Sequence, residues 1–219
     1  MKTILNRMSH LRWWAQKIGK SNVVPSNSYY GLSKDSDSND FSKARELDED
    51  KLKQITDEYV IASLRLQAEF GLRREEAIKF IPNYADQGDY IRIKASWTKG
   101  GKARTVPIRN AEQRAALDHA KTIAGGGSLI PRSIRYDKQR GRYEKATNAV
   151  GLNKMHGLRH RYAQQRYQEL TGWLCRHAGG PRHKDLTREQ KSIDKHARSI
   201  ISKELGHERL SVITTYCGK

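Results

Sequence analysis

Only two stretches of this chain alternate apolar and polar residues, and every other periodic stretch has the helical spacing. Residues 90–95 (Tyr90-Ile91-Arg92-Ile93-Lys94-Ala95) and 103–108 (Ala103-Arg104-Thr105-Val106-Pro107-Ile108) both read as strands. Between them lies Thr98-Lys99-Gly100-Gly101-Lys102, a turn that makes the pair a β-hairpin with a basic tip. No internal repeat is present. The expected fold is therefore mainly α with a small antiparallel β-hairpin sheet.

The helices follow from caps and breakers. Residues 2–18 place Ile4, Leu5, Met8, Leu11, Trp14, Ala15 and Ile18 on one face, an amphipathic helix that needs a partner surface. Trp13 and Trp14 read first as packing residues. The polar, turn-rich stretch from Ser33 to Ser42 reads as a linker. The chain then divides into a helical segment at 1–32, a linker at 33–46 and a main domain at 47–219. Asp48 is expected to cap one long helix running to about Phe70, which Gly71 breaks before a further helix at 72–78. Helices follow at 110–123, at 135–150 (basic) and at 156–170, with a flexible joint at Gly125, Gly126 and Gly127. Thr187-Arg188-Glu189-Gln190 is a capping box for the helix carrying Ile193, Ala197, Ile200, Ile201 and Leu205. Gly206 stops that helix, and Ser211 is placed to cap a short last one that carries Tyr216.

Charge narrows the class of partner. Among 219 residues, 42 Lys and Arg against 24 Asp and Glu leave a formal charge of +18, more than solubility requires of a domain this size. A polyanion is implied, with nucleic acid first. No apolar run is long enough to span a bilayer, and the first residues lack a secretory apolar core, so a bacterial-type cytosol or nucleoid is expected. Cys175 and Cys217 lie far apart and make no disulfide framework. Cys175, His177 and His183 have a spacing that could serve zinc, but no fourth ligand is evident, and a basic DNA-facing loop is the better reading.

A tyrosine near the end of a strongly cationic chain raises a chemical question. A free phenol has a pKa of about 10 and attacks nothing at neutral pH unless cations absorb the developing negative charge. Four places could supply them: Arg73 with Glu76, Lys99, His156 with Arg159, and His207. Singly, each has a plainer explanation. Arg73 and Glu76 suit a helix-surface ion pair, Lys99 an edge-protecting lysine, His156 and Arg159 a capped turn, and His207 a packed ring. What matters is that they occur together, in this order, with Tyr216 last.

That order resembles the catalytic domain of the tyrosine recombinases, the phage and mobile-element integrases and their chromosome-resolving relatives. The family's Gly-x-Arg-x-x-Glu is matched by Gly71-Leu72-Arg73-Arg74-Glu75-Glu76, and its hairpin lysine by Lys99-Gly100-Gly101-Lys102-Ala103-Arg104-Thr105-Val106-Pro107. Its His-x-x-Arg pair with a second histidine is matched by His156, Arg159 and His160, and its Leu-Gly-His block with a tyrosine nine residues later by His207 and Tyr216.

The resemblance covers about residues 47–216 and implies the DNA breaking-rejoining fold. It implies a site-specific recombinase or integrase that cuts and rejoins strands through a 3′-phosphotyrosyl intermediate, with no cofactor and no metal. It assigns Tyr216 as nucleophile, with Arg73, Lys99, His156, Arg159 and His207 as the other catalytic residues. Glu76 and His160 support them, and Arg74, Lys102 and Arg104 are expected on DNA. The implied partner is double-stranded DNA, bound as a homotetramer that is a monomer or weak oligomer when free, with accessory DNA-bending proteins as further partners and with no membrane. The segment 1–32 is expected to be the remnant of a core-binding domain. Because three residues follow Tyr216, protomer coupling is expected to be weak or to use another surface. Two further readings are a type IB topoisomerase-like nicking-closing enzyme and a DNA-binding remnant without activity.

Overall fold

The computed structural model describes residues 2–32 and 42–219, which fall into two compact units, residues 1–39 and 40–219. Most of the expected linker, 33–41, lies outside the described residues.

In the first unit, α1 (Lys2–Lys17) is followed by a loop that Arg12 gathers in. Its guanidinium donates to the Pro25 carbonyl at 2.9 and 2.6 Å and to Asn27 Oδ1 at 2.8 Å. Of the expected apolar face, Leu5 and Ala15 are buried, while Ile4, Leu11, Trp14 and Ile18 are exposed.

The second unit is built around α3 (Glu58–Phe70), whose buried residues, Val60, Ala62, Leu64, Leu66 and Phe70 among them, point in several directions because neighbours surround it. One long helix from Asp48 was expected, and two form instead. Asp48 caps α2 (Glu49–Leu52) by accepting from Lys51 N at 3.1 Å. Asp57 then caps α3 itself, accepting from Tyr59 N and Val60 N at 3.0 and 3.2 Å. A carboxylate that satisfies the first free N–H groups of a new helix competes with continuing the old one.

After α3, Gly71 takes a left-handed turn (φ 60°), and a Cβ there would sit 2.6 Å from the Tyr162 ring. The chain continues through α4 (Arg74–Ile78) and α5 (Pro82–Ala85) into β1 (Tyr90–Ile93) and β2 (Arg104–Pro107). The strands pair antiparallel, with Tyr90 opposite Pro107 and Ile93 opposite Arg104, and they bury Ile91, Ile93 and Val106. β1 is shorter than expected. A 3-10 turn at Ala95–Trp97 ends it, burying Trp97 against Phe80 and Tyr84, with ring centroids 5.6 and 5.7 Å apart.

Next come α6 (Ala111–Ala124), α7 (Tyr136–Ala149), α8 (His156–Thr171), α9 (Arg188–Glu204) and the one-turn α10 (Thr214–Cys217). The glycines after α6 were expected to be a flexible joint. They are a hydrogen-bonded turn, Gly125 N donating to Lys121 O at 3.0 Å and Gly127 N to Ala124 O at 2.9 Å. The capping box at Thr187 and Gln190 forms, with bonds of 2.9 and 3.2 Å. Ser211 does not cap α10. It lies inside a 3-10 turn, Leu210–Ile213, and its carbonyl accepts from Thr214 Oγ1 at 2.7 Å. Mainly helical with one two-stranded antiparallel sheet, the unit has the fold class its sequence implied. No helix of the described residues is long and apolar enough to cross a membrane.

Candidate active site

The left-handed turn at Gly71 sets up the first part of the site. It places Arg73 at the N-cap of α4, with Glu76 three residues on. Arg73 N donates to Glu76 Oε2 and Arg73 Nη1 to Glu76 Oε1, both at 2.8 Å. Glu76 is fully buried and also accepts both Nη groups of Arg104, at 2.9 and 2.7 Å. Burial pushes its carboxyl up, but the Arg104 hydrogen bonds and charge, with the charge of Arg159 and the Arg73 N–H, hold it at about 2.

Arg104 was expected on DNA and sits elsewhere. Its guanidinium forks onto Glu76, and its Nε donates to the Glu204 carbonyl at 2.7 Å, linking β2 to α4 and to the end of α9. Its side chain is 6 % exposed. The signal for this was present in the sequence. Arg104 is two residues from Val106, so in a strand both point to one face, and that face is the core.

α8 brings in His156, Arg159 and His160. Arg159 is 1 % exposed and is anchored by two backbone carbonyls, that of Gly71 at 2.6 Å from Nη1 and that of Leu205 from Nη2. Two longer contacts remain: Nε to Tyr216 Oη and Nη2 to His207 Nε2, both 3.3 Å. Burial draws the guanidinium down to about 10, which still leaves it charged at neutral pH.

His207 follows Gly206, whose positive φ of 65° ends α9. Its backbone is tied at both ends to Ser202, His207 N donating to the carbonyl at 2.8 Å and Ser202 Oγ to His207 O at 3.1 Å. Its Nε2 lies 3.3 Å from Tyr216 Oη. Partial burial and the charges of Arg159, Arg73 and Arg104 depress this imidazole to about 4. It is therefore neutral at pH 7. Because a guanidinium can only donate, His207 Nε2 accepts and its proton is assigned to Nδ1.

Tyr216 is 4 % exposed and its phenol is surrounded. The centroids of the His160, His207 and His156 rings lie 4.6, 5.5 and 6.2 Å from its own. His160 is held at about 4 by burial and by the charges of His156, Lys43, His177 and Arg159, and its Nδ1 has no hydrogen-bond partner among the described residues. His156 is more open, and partial burial with Arg159 and Arg73 lowers it too. Gln164, which sequence reasoning passed over, donates from Nε2 to the Tyr216 carbonyl at 2.9 Å.

Beside this hub is a cleft of about 470 Å³ whose walls include Arg73, Lys99, Lys102, His207 and Arg209. Lys99 is exposed at the hairpin tip. Lys102 pairs with Glu208, and Arg74, also exposed, pairs with Glu144 at 2.8 Å. Among the described residues no group of three or more His, Cys, Asp or Glu is arranged to hold a metal. Cys175, His177 and His183 do not converge, since His177 bonds to the Tyr216 carbonyl and His183 faces Asp194.

The family described as Integrase matches residues 34–165, more than half of the chain. The chain belongs to the integrase family. Arg73, Lys99, His156 and Arg159 fall inside the matched residues, whereas His207 and Tyr216 lie beyond them and are joined to the others by the contacts above.

Among solved structures, the XerH site-specific recombinase bound to a palindromic difH substrate, a post-cleavage complex, matches with a TM-score of 0.50 at 18% identity, over 84% of this chain and 51% of that one. The pre-cleavage complex of XerH with difH matches with a TM-score of 0.46 at 18% identity, over 76% of this chain and 46% of that one. The integrase chain thus spans about half the length of the recombinase it resembles, and its fold is that of a tyrosine recombinase catalytic domain. No curated protein matches it.

Proposed function

We propose that this chain is a site-specific DNA recombinase that cleaves and rejoins double-stranded DNA through a 3′-phosphotyrosyl intermediate. What carries the reading is the placement of Tyr216 Oη 3.3 Å from both Arg159 Nε and His207 Nε2, beside a cleft lined by Arg73 and Lys99.

Each group has a task that its surroundings suit. The short bonds from Arg159 to two carbonyls fix the guanidinium, so its longer contacts to Tyr216 and His207 are the ones a phosphate oxygen would replace. Arg73 offers a second guanidinium, and two such forks suit the non-bridging oxygens of a phosphodiester. Tyr216 Oη attacks phosphorus, the P–O5′ bond breaks, and its electron pair leaves on the 5′ oxygen. The Lys99 ammonium gives that oxygen a proton. The phenol proton passes to neutral His207, whose Nε2 faces it, while His156 orients the phosphate. Rejoining is the reverse attack by a 5′-hydroxyl, so the bond energy is conserved.

The test is a suicide duplex bearing the chain's recombination site, analysed on denaturing gels. A covalent protein–DNA adduct is expected, absent in Tyr216→Phe. Binding without an adduct overturns the reading in favour of a DNA-binding remnant. Relaxation of supercoiled plasmid without recombinant products overturns it in favour of a topoisomerase-like activity.

A further inference from the structure

The helix that carries Tyr216 is one turn long, Thr214–Cys217, and a single turn does not hold its own orientation. Its last carbonyls have no partner within the helix, so whatever bonds to them fixes the direction of the phenol. Two side chains bond to the Tyr216 carbonyl, and a third holds Gly218 just past the helix end. Gln164 of α8 donates to Tyr216 O at 2.9 Å, Arg198 of α9 donates from Nη1 to Gly218 O at 2.9 Å, and His177 lies with Nδ1 3.2 Å from Tyr216 O. Gln164 and Arg198 come from long helices. His177 comes from a 3-10 turn, Arg176–Ala178, in the stretch between α8 and α9 that the proposed chemistry does not use.

That turn is tightly built. Ala178 N and Gly180 N both donate to the Cys175 carbonyl at 2.9 Å, and Gly179 is left-handed with φ 95°. A Cβ on Gly180 would fall 1.7 Å from the Leu174 carbonyl oxygen, so only glycine closes it. The turn also fits closely against the end of α10. A Cβ on Gly218 would meet Arg176 Cβ at 2.8 Å and His177 Cδ2 at 2.9 Å, and Cys175 and Cys217 are both buried. A carbonyl can only accept, so His177 must carry its proton on Nδ1.

We infer that His177 is a positioning residue for the nucleophile: its Nδ1–H, presented by the 175–180 turn, holds the Tyr216 carbonyl and so aims the phenol at the phosphate. This rests on Tyr216 being the nucleophile. A displacement of about 1 Å at a reacting atom costs up to about a hundredfold in rate, so loss of this bond is expected to slow cleavage roughly ten- to a hundredfold.

The test compares His177→Asn, whose amide N–H can occupy the place of Nδ1–H, with His177→Phe, which fills the space without a donor. Single-turnover adduct formation on the suicide duplex, measured at saturating DNA, is expected near the wild-type rate in Asn and slowed in Phe. Equal rates in Asn and Phe, whether both fast or both slow, overturn the inference, because the donor would then be irrelevant. A second readout needs no activity. Ring ¹⁵N shifts of His177 in the whole chain should report a proton on Nδ1, and a neutral ring protonated on Nε2 alone overturns the inference. If the wild type forms no adduct, the recombinase reading falls, and the ¹⁵N result still decides the contact.

Discussion

At the scale of single residues, the site holds imidazoles that stay neutral under strong positive fields. His160 and His207 are both depressed from 6.5 to about 4, and His156 is lowered as well. In the unfolded chain these rings take up protons near 6.5, whereas in the folded protein His160 and His207 resist until about 4. Stability is therefore full above 6.5 and declines as the pH falls toward 4. Glu76 adds a separate loss only below 4.5, as the pH falls toward its folded value of about 2. Urea unfolding at several pH values between 7 and 4.5 should show this decline, and His160→Phe should flatten it while keeping a ring against Tyr216. An unchanged slope in that variant would mean His160 titrates normally. A bound phosphate has the opposite effect on His207, since an anion favours the imidazolium and raises its pKa.

At the scale of elements, the structure joins the hairpin to the helices through one buried carboxylate. Glu76 takes Arg73 from its own helix and Arg104 from β2, and Arg104 also holds the end of α9 just before His207. Removing one partner of a buried pair leaves an uncompensated charge, at a cost of about 3–5 kcal/mol. Arg104→Ala leaves Glu76 with Arg73 as its remaining partner, so the unfolding free energy at pH 7 is expected to fall by about 3 kcal/mol, the low end of that range. A DNA contact would lose affinity and no stability, so denaturant titration without DNA separates the two roles. Much of this element scale was legible beforehand. The hairpin, the breaks at Gly71 and Gly206 and the capping box at Thr187 follow from local chemistry. The split of the long helix at Asp57 was missed because apolar spacing runs on across 52–66 while a single carboxylate ends it. Arg104 was misread because its charge was weighed above its strand parity.

At the scale of the whole molecule, the order Arg73, Lys99, His156, Arg159, His207, Tyr216 could be read in the chain. Which contacts hold it together could not be, because Arg159 bonds to Gly71 and Leu205 across 88 and 46 residues of sequence. The same limit applies to the net charge of +18, which counts cations already engaged within the fold. Arg104 and Arg159 are buried, and Arg74 and Lys102 face Glu144 and Glu208. A cation that must give up a carboxylate to meet a phosphate gains less from DNA than a free one. The logarithm of DNA affinity should fall by about 0.9 per phosphate neutralised for each unit of log salt. Lys99→Ala should then reduce the slope by nearly one such step, and Arg74→Ala and Lys102→Ala by clearly less. Salt titrations of duplex binding measure all three. Equal steps would mean that the two ion pairs open freely on DNA, and a flat titration of the wild type would detach the charge from DNA altogether.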